Sequence, residues 1–209
     1  MKNYYTKIEF GKTYHIFNRG INGTDLFSNN DNYEYFLKLY EKHIHPVADT
    51  YAWALMKNHF HFLVRIKTLQ EIEKSSIPKK PLNDENRAEN KTKKPHQYFS
   101  NLFNAYTQAY NKMNHRHGSL FERPFKRLFI ANQKYFQNTV VYIHQNPVHH
   151  FITEHILDYP WTSYQTLISM KPSKLCRNKV LGYFDSLGNF KAAHDQDIDE
   201  DILKEISLD

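Results

Sequence analysis

Two apolar, β-prone runs, Thr50 to Met56 and His59 to Ile66, are separated only by Lys57 and Asn58. Strands joined by two residues pair most simply as an antiparallel hairpin, and that pairing constrains how the rest of the chain can be arranged. Lys12 to Arg19 (KTYHIFNR) is rich in strand formers and is closed by Gly20 and the turn-prone Asn22 and Gly23, which predicts a first strand and loop. Asn30 to Lys42 carries Tyr33, Phe36, Leu37 and Tyr40 at i, i+3, i+4 and i+7, one face of an amphipathic helix that Pro46 stops. Phe99, Leu102, Phe103, Tyr106 and Tyr110 repeat helical spacing up to about Gly118. A strand from Lys126 to Ala131 follows, then a helix from about Gln133 to Asn146 that Pro147 should break. The order β, α, β, β, α, β, α predicts an α+β fold, a ferredoxin/RRM-like antiparallel sheet with helices on one face and an extra C-terminal helix.

One stretch does not fit this pattern. Residues 67–97 hold no Phe, Tyr or Trp, contain three prolines, and are dominated by Lys, Glu and Asn. Such a stretch buries too little apolar surface to offset its ordering entropy, which predicts a disordered insertion. The expected organisation is a domain over 1–164 with that insertion, followed by a C-terminal extension over 165–209 that ends in an acidic tail.

Composition limits the function classes. A single cysteine, Cys176, excludes a disulfide framework and an all-cysteine zinc site. The longest apolar run, Tyr51 to Met56, is far too short to span a bilayer, so no membrane role is expected and a cytoplasmic location is. The net charge is +6, but seven acids and one lysine lie in 195–209, so residues 1–194 carry 27 basic against 15 acidic side chains, or +12. A basic body with 15 Phe, 15 Tyr and 13 His suits a polyanion whose bases can stack.

Three histidine pairs stand two residues apart: His43/His45, His59/His61 and His115/His117. On a strand such residues share a face; on a helix they diverge. Only His59/His61 lies in a good strand, with Phe60, Phe62, Val64 and Ile66 as the buried face, and the other two pairs are expected to be solvated. Two strand histidines hydrogen-bonded to neighbours would give the same pattern. On the helix after Gln133, Phe136, Val140 and Ile143 form the packing face, which leaves Thr139, Tyr142 and Asn146 along an adjacent edge. A tyrosine hydroxyl can be a nucleophile and an amide oxygen a metal ligand, although among 15 tyrosines spacing alone does not single out Tyr142.

Five segments occur in order: YHIFNRG (Tyr14 to Gly20), MKNHFHFLV (Met56 to Val64), GSLFERPFKR (Gly118 to Arg127), VVYIHQNPV (Val140 to Val148) and YPWTSY (Tyr159 to Tyr164). Together they resemble the single-tyrosine HUH transposases, specifically the REP-associated tyrosine transposase branch (IS200-like transposases). That resemblance implies His59 and His61 as metal ligands, Asn146 as a third ligand with Gln145 as its rival, Tyr142 as the nucleophile, and Mg²⁺ or Mn²⁺ as the metal. It implies a nucleoid-associated enzyme that nicks and rejoins single-stranded or hairpin DNA of repetitive palindromic elements through a 5′-phosphotyrosine, as a monomer or homodimer. Arg19, Arg65, Arg123, Lys126 and Arg127 are the cations expected along the phosphate track. The competing expectations are a non-catalytic nucleic-acid-binding module of the same fold, and zinc hydrolysis through water that leaves Tyr142 idle.

Overall fold

A computed structural model describes residues 4–75, 93–196, 198 and 204. Four strands, β1 (Thr13–Arg19), β2 (Ala48–Met56), β3 (His59–Ile66) and β4 (Lys126–Phe129), form one antiparallel sheet in the order β2-β3-β1-β4. The predicted hairpin is present: Met56 pairs with His59 and the chain turns through Lys57 and Asn58. β1 crosses to the middle of the sheet and pairs with β3 and β4, Arg19 opposite His59 and Phe17 opposite both His61 and Lys126. This is the ferredoxin-like split arrangement that the element order predicts.

Strand alternation gives the sheet two apolar faces. Tyr14, Ile16, Phe60, Phe62, Val64 and Ile66 meet α1 (Asn30–His43) and α3 (Pro95–Met113), which contribute Tyr33, Phe36, Leu39, Phe99, Phe103 and Tyr106 to a largely aromatic core. α1 starts where Asn29 accepts a hydrogen bond from the Asn32 backbone N–H at 3.1 Å. The tyrosine-bearing helix α4 (Gln133–His149) covers the other face, burying Phe136, Val140 and Ile143 against Ala52, Ala54, Met56 and Leu63. Asn132 caps its first turn by accepting from the Tyr135 N–H.

Several boundaries differ from expectation. α4 runs through Pro147 to His149 instead of breaking at Asn146: proline forfeits only the bond its N–H would make to Ile143, and the His150 N–H bonds the Asn146 carbonyl at 3.0 Å. Both ends of the 67–97 stretch carry structure. Leu69–Ser75 form α2, with Ile72 buried, and α3 begins at Pro95; residues 76–92 lie outside the described residues. The expected division at 164 passes through a core, since α5 (Tyr164–Ile168), α6 (Arg177–Tyr183) and α7 (Leu187–His194) add Tyr164, Leu167, Val180, Phe184 and Phe190 to the cluster under α4. Most of the acidic tail falls outside the described residues. No helix among the described residues is long and apolar enough to cross a membrane.

Candidate active site

β3 turns His59 and His61 away from Phe60 and Phe62, towards α4. One helical turn separates Tyr142 from Asn146, and both side chains meet the histidines. His59 Nε2 stands 3.0 Å from Asn146 Oδ1, and the Tyr142 ring lies edge-on to the His61 ring at 5.4 Å and 87°. His59 and His61 are neighbours, their ring centroids 5.3 Å apart. The cluster is well shielded: Tyr142 is 4% exposed, His59 7%, and His61 and Asn146 are fully buried. Gln145 is turned elsewhere, its amide donating to the backbone carbonyls of His194 and Gln196, both at 2.9 Å. Of the other histidine pairs, His115 and His117 are exposed and His43 and His45 are half-buried at the end of α1.

The polar atoms of this cluster suit a cation in two respects. His59 Nδ1 lies 2.7 Å from Asn58 Oδ1; if a neutral His59 donates its one proton there, Nε2 faces Asn146 Oδ1, 3.0 Å away, as lone pair to lone pair. A cation between them resolves the conflict, and about 3 Å is the spacing of adjacent ligands around an octahedral ion with bonds near 2.1 Å. A turned Asn146 amide would also resolve it. His61 Nε2 is buried with no hydrogen-bond partner, which an ion would supply. Among the described residues no group of three or more His, Cys, Asp or Glu side chains is arranged to hold a metal. An ion here would rest on two imidazoles and one amide oxygen, with phosphate oxygens or water completing its shell.

The five predicted cations are not in one place. Arg19, opposite His59, and Lys126, in line with Phe17 and His61, share the histidine face; Arg19 is paired with Glu122 at 2.6 Å. Arg65 shares that face but lies six residues along β3 from His59, roughly 20 Å away. It is gripped by Asp49 and Glu71 at 2.6 and 2.7 Å. Arg123 and Arg127 line a cleft of about 660 Å³ with Asn18, Phe103, Phe121 and Phe125, on the α3 face and away from the histidines. Arg127 already donates to the backbone carbonyls of Thr6, Tyr5 and Phe125.

Sequence reasoning missed His15. It lies on β1, diagonal to His61 on the same face, fully buried, with Nε2 2.9 Å from His61 Nδ1 and its ring 6.0 Å from Tyr142. Its only sequence signal is alternation: between Tyr14 and Ile16, which enter the aromatic core, His15 must face the other way. Burial pushes His15 down to about 3 and His61 well below the usual histidine range, so both rings are neutral at pH 7.

A second buried chain fastens the C-terminal helices to α4. The His194 Nδ1–H donates to the Phe190 carbonyl at 2.7 Å, and the His144 Nδ1–H donates to His194 Nε2 at 2.8 Å. The Ser163 hydroxyl donates to His144 Nε2, and Ser163 Oγ accepts from the Trp53 N–H, both at 2.8 Å. The His194–His144–Ser163 links require neutral imidazoles, because a protonated His194 turns Nε2 from acceptor to donor; the bond to the Phe190 carbonyl survives protonation. Burial pushes His194 down to about 4, whereas the unfolded chain takes up that proton near 6.5. The stability it contributes is complete above about pH 6.5 and is lost as pH falls towards 4. Urea unfolding at pH 7 and pH 4.5 should therefore differ by a few kcal/mol, and a His194→Phe protein should show a shallower loss. An unchanged pH slope in that variant would remove His194 as the titrating group.

No family model and no curated protein matches the sequence. Among solved structures, the chain is similar to a REP-associated tyrosine transposase bound to a REP hairpin, with a TM-score of 0.56. The match covers 82% of this chain and 89% of that one at 16% identity, so it shows a shared fold.

Proposed function

We propose that the protein is a divalent-metal-dependent single-strand DNA endonuclease and strand transferase acting on hairpin-associated DNA, with Tyr142 as its nucleophile. One observation carries this reading: α4 lays Tyr142 and Asn146 on the two histidines of β3, uniting in space two constellations that lie about 80 residues apart. The hairpin carried by the structural neighbour supports the choice of DNA. His59, His61 and Asn146 would hold Mg²⁺ or Mn²⁺. Such an ion, when bound, withdraws charge from the phosphoryl oxygen.

Tyr142 Oη bonds to phosphorus while the P–O3′ bond breaks. Its hydroxyl proton is given up, the electron pair leaves with the 3′ oxygen, and that oxygen ends protonated. The products are a 5′-phosphotyrosine and a free 3′-hydroxyl. Because the diester's energy stays in the phosphotyrosine, a 3′-hydroxyl can attack it and rejoin the strand. Arg19 and Lys126, on the histidine face, are the best placed of the cations to hold phosphates beside this site. Arg123 and Arg127 would hold DNA on the cleft of the opposite face, and Arg65 would contribute only after giving up a carboxylate.

The test is a set of single-stranded hairpins with randomised flanks, labelled at the 3′ end and incubated with protein and Mg²⁺ or Mn²⁺. The label should migrate with the protein on a denaturing gel, and a chelator should prevent it. Cleavage that releases the label with no adduct would favour a water nucleophile, and binding without cleavage would favour a non-catalytic module.

A further inference from the structure

The two nitrogens of His61 are not equivalent. Nδ1 lies 2.9 Å from His15 Nε2, while Nε2 is buried with no partner, as is the outer nitrogen of His15, Nδ1. Neutral rings leave one proton to lie between them, and its owner decides what His61 can do. If His15 Nε2 carries it, His61 keeps its own proton on Nε2 and presents a buried N–H to the site. If His61 Nδ1 carries it, Nε2 presents a bare lone pair. Only the second arrangement lets His61 bind a cation. His15 has little freedom to move, since it is fully buried with its ring 4.6 Å from Phe17 and 5.1 Å from His61.

We infer that His15 is a positioning residue: by accepting the Nδ1–H of His61, it holds that ring in the tautomer whose Nε2 is open to the metal. The inference rests on the proposed role of His61 as a ligand and extends it to a residue of another strand. Ligating histidines generally have their second nitrogen oriented in this way, most often by a carboxylate or carbonyl, and losing that partner weakens metal binding 10- to 100-fold. Here a third imidazole takes the carboxylate's place. It orients the ring without adding a negative charge beside the phosphate.

Two measurements test this. In metal-free protein near pH 7.5, long-range ¹H–¹⁵N correlations of the histidine rings should show His61 protonated at Nδ1. His15→Phe, which keeps a ring but removes the acceptor, should move that proton to Nε2 in part or whole. His15→Gln, whose amide oxygen can stand near the position of Nε2, should restore it. Mn²⁺ titration followed by electron paramagnetic resonance should then give roughly 10- to 100-fold weaker binding for His15→Phe and binding within about threefold of wild type for His15→Gln.

An Nε2-protonated His61 in the wild-type protein overturns the inference without recourse to any variant, so it remains testable even if His15→Phe fails to fold. Wild-type Mn²⁺ affinity in a folded His15→Phe protein overturns it too. A wild-type protein whose weak Mn²⁺ binding is unchanged by His59→Ala would instead sink the metal reading, leaving the His15–His61 tautomer to be decided by the metal-free spectrum.

Discussion

A Tyr142→Phe protein should fold, bind Mn²⁺ and bind hairpin DNA, yet form covalent adduct more than about 10³-fold more slowly than the wild type. The substitution deletes the attacking atom and little else. The ring that packs edge-on against His61 and His15 is retained, and α4 buries Phe136, Val140 and Ile143 whether or not the hydroxyl is present. Loss of a buried hydroxyl changes stability by about 1 kcal/mol, which a thermal melt will register without unfolding the chain. Hairpin affinity, measured by fluorescence anisotropy, should stay within a few fold because it rests on phosphate contacts. An adduct that still forms in Tyr142→Phe would transfer the role to another tyrosine. Cleavage without adduct in both proteins would indicate attack by water.

How much of this was legible in the sequence varied with how local the signal was. The β2–β3 hairpin was readable because a two-residue connection leaves no other pairing, and alternation then placed His59 and His61 on one face. The tyrosine helix was readable from Phe136, Val140 and Ile143, but its end was not: the rule that proline breaks helices takes no account of the packing that carries α4 to His149. Ile72 was hidden because the polar composition of 67–97 was averaged over its ends, where a single buried side chain and the Arg65–Glu71 pair support α2. Arg65 shows the limit of reading cations from sequence. Its carboxylate partners are Asp49, across the hairpin, and Glu71, on the following helix. His15 was missed for a related reason: a lone histidine in a strand acquires meaning only from the strand that pairs beside it.

The C-terminal helices were the least legible part, and they carry the second large effect. Helices of five, seven and eight residues are shorter than the windows in which a 3.6-residue period can be recognised, and an acidic tail follows them. A fragment ending at residue 164 should fail to fold cooperatively. It would remove Leu167, Val180, Phe184 and Phe190, all buried in the cluster that α4 shares with the sheet, where α7 packs on α4 and α6 on β2. At about 1.5 to 3 kcal/mol for each buried apolar side chain, that loss rivals the 5 to 15 kcal/mol by which a domain is typically stable. It would also strip His144 of its His194 acceptor and the Gln145 amide of both its carbonyls, leaving buried polar groups unpaired on the helix that holds Tyr142 and Asn146. Circular dichroism of the fragment should show a broad, weak thermal transition, and any of it that remains folded should have lost Mn²⁺ binding along with the geometry of α4. A sharp melt within a few degrees of the full chain would restore 165–209 to the status of an appendage and leave 1–164 as the folding unit.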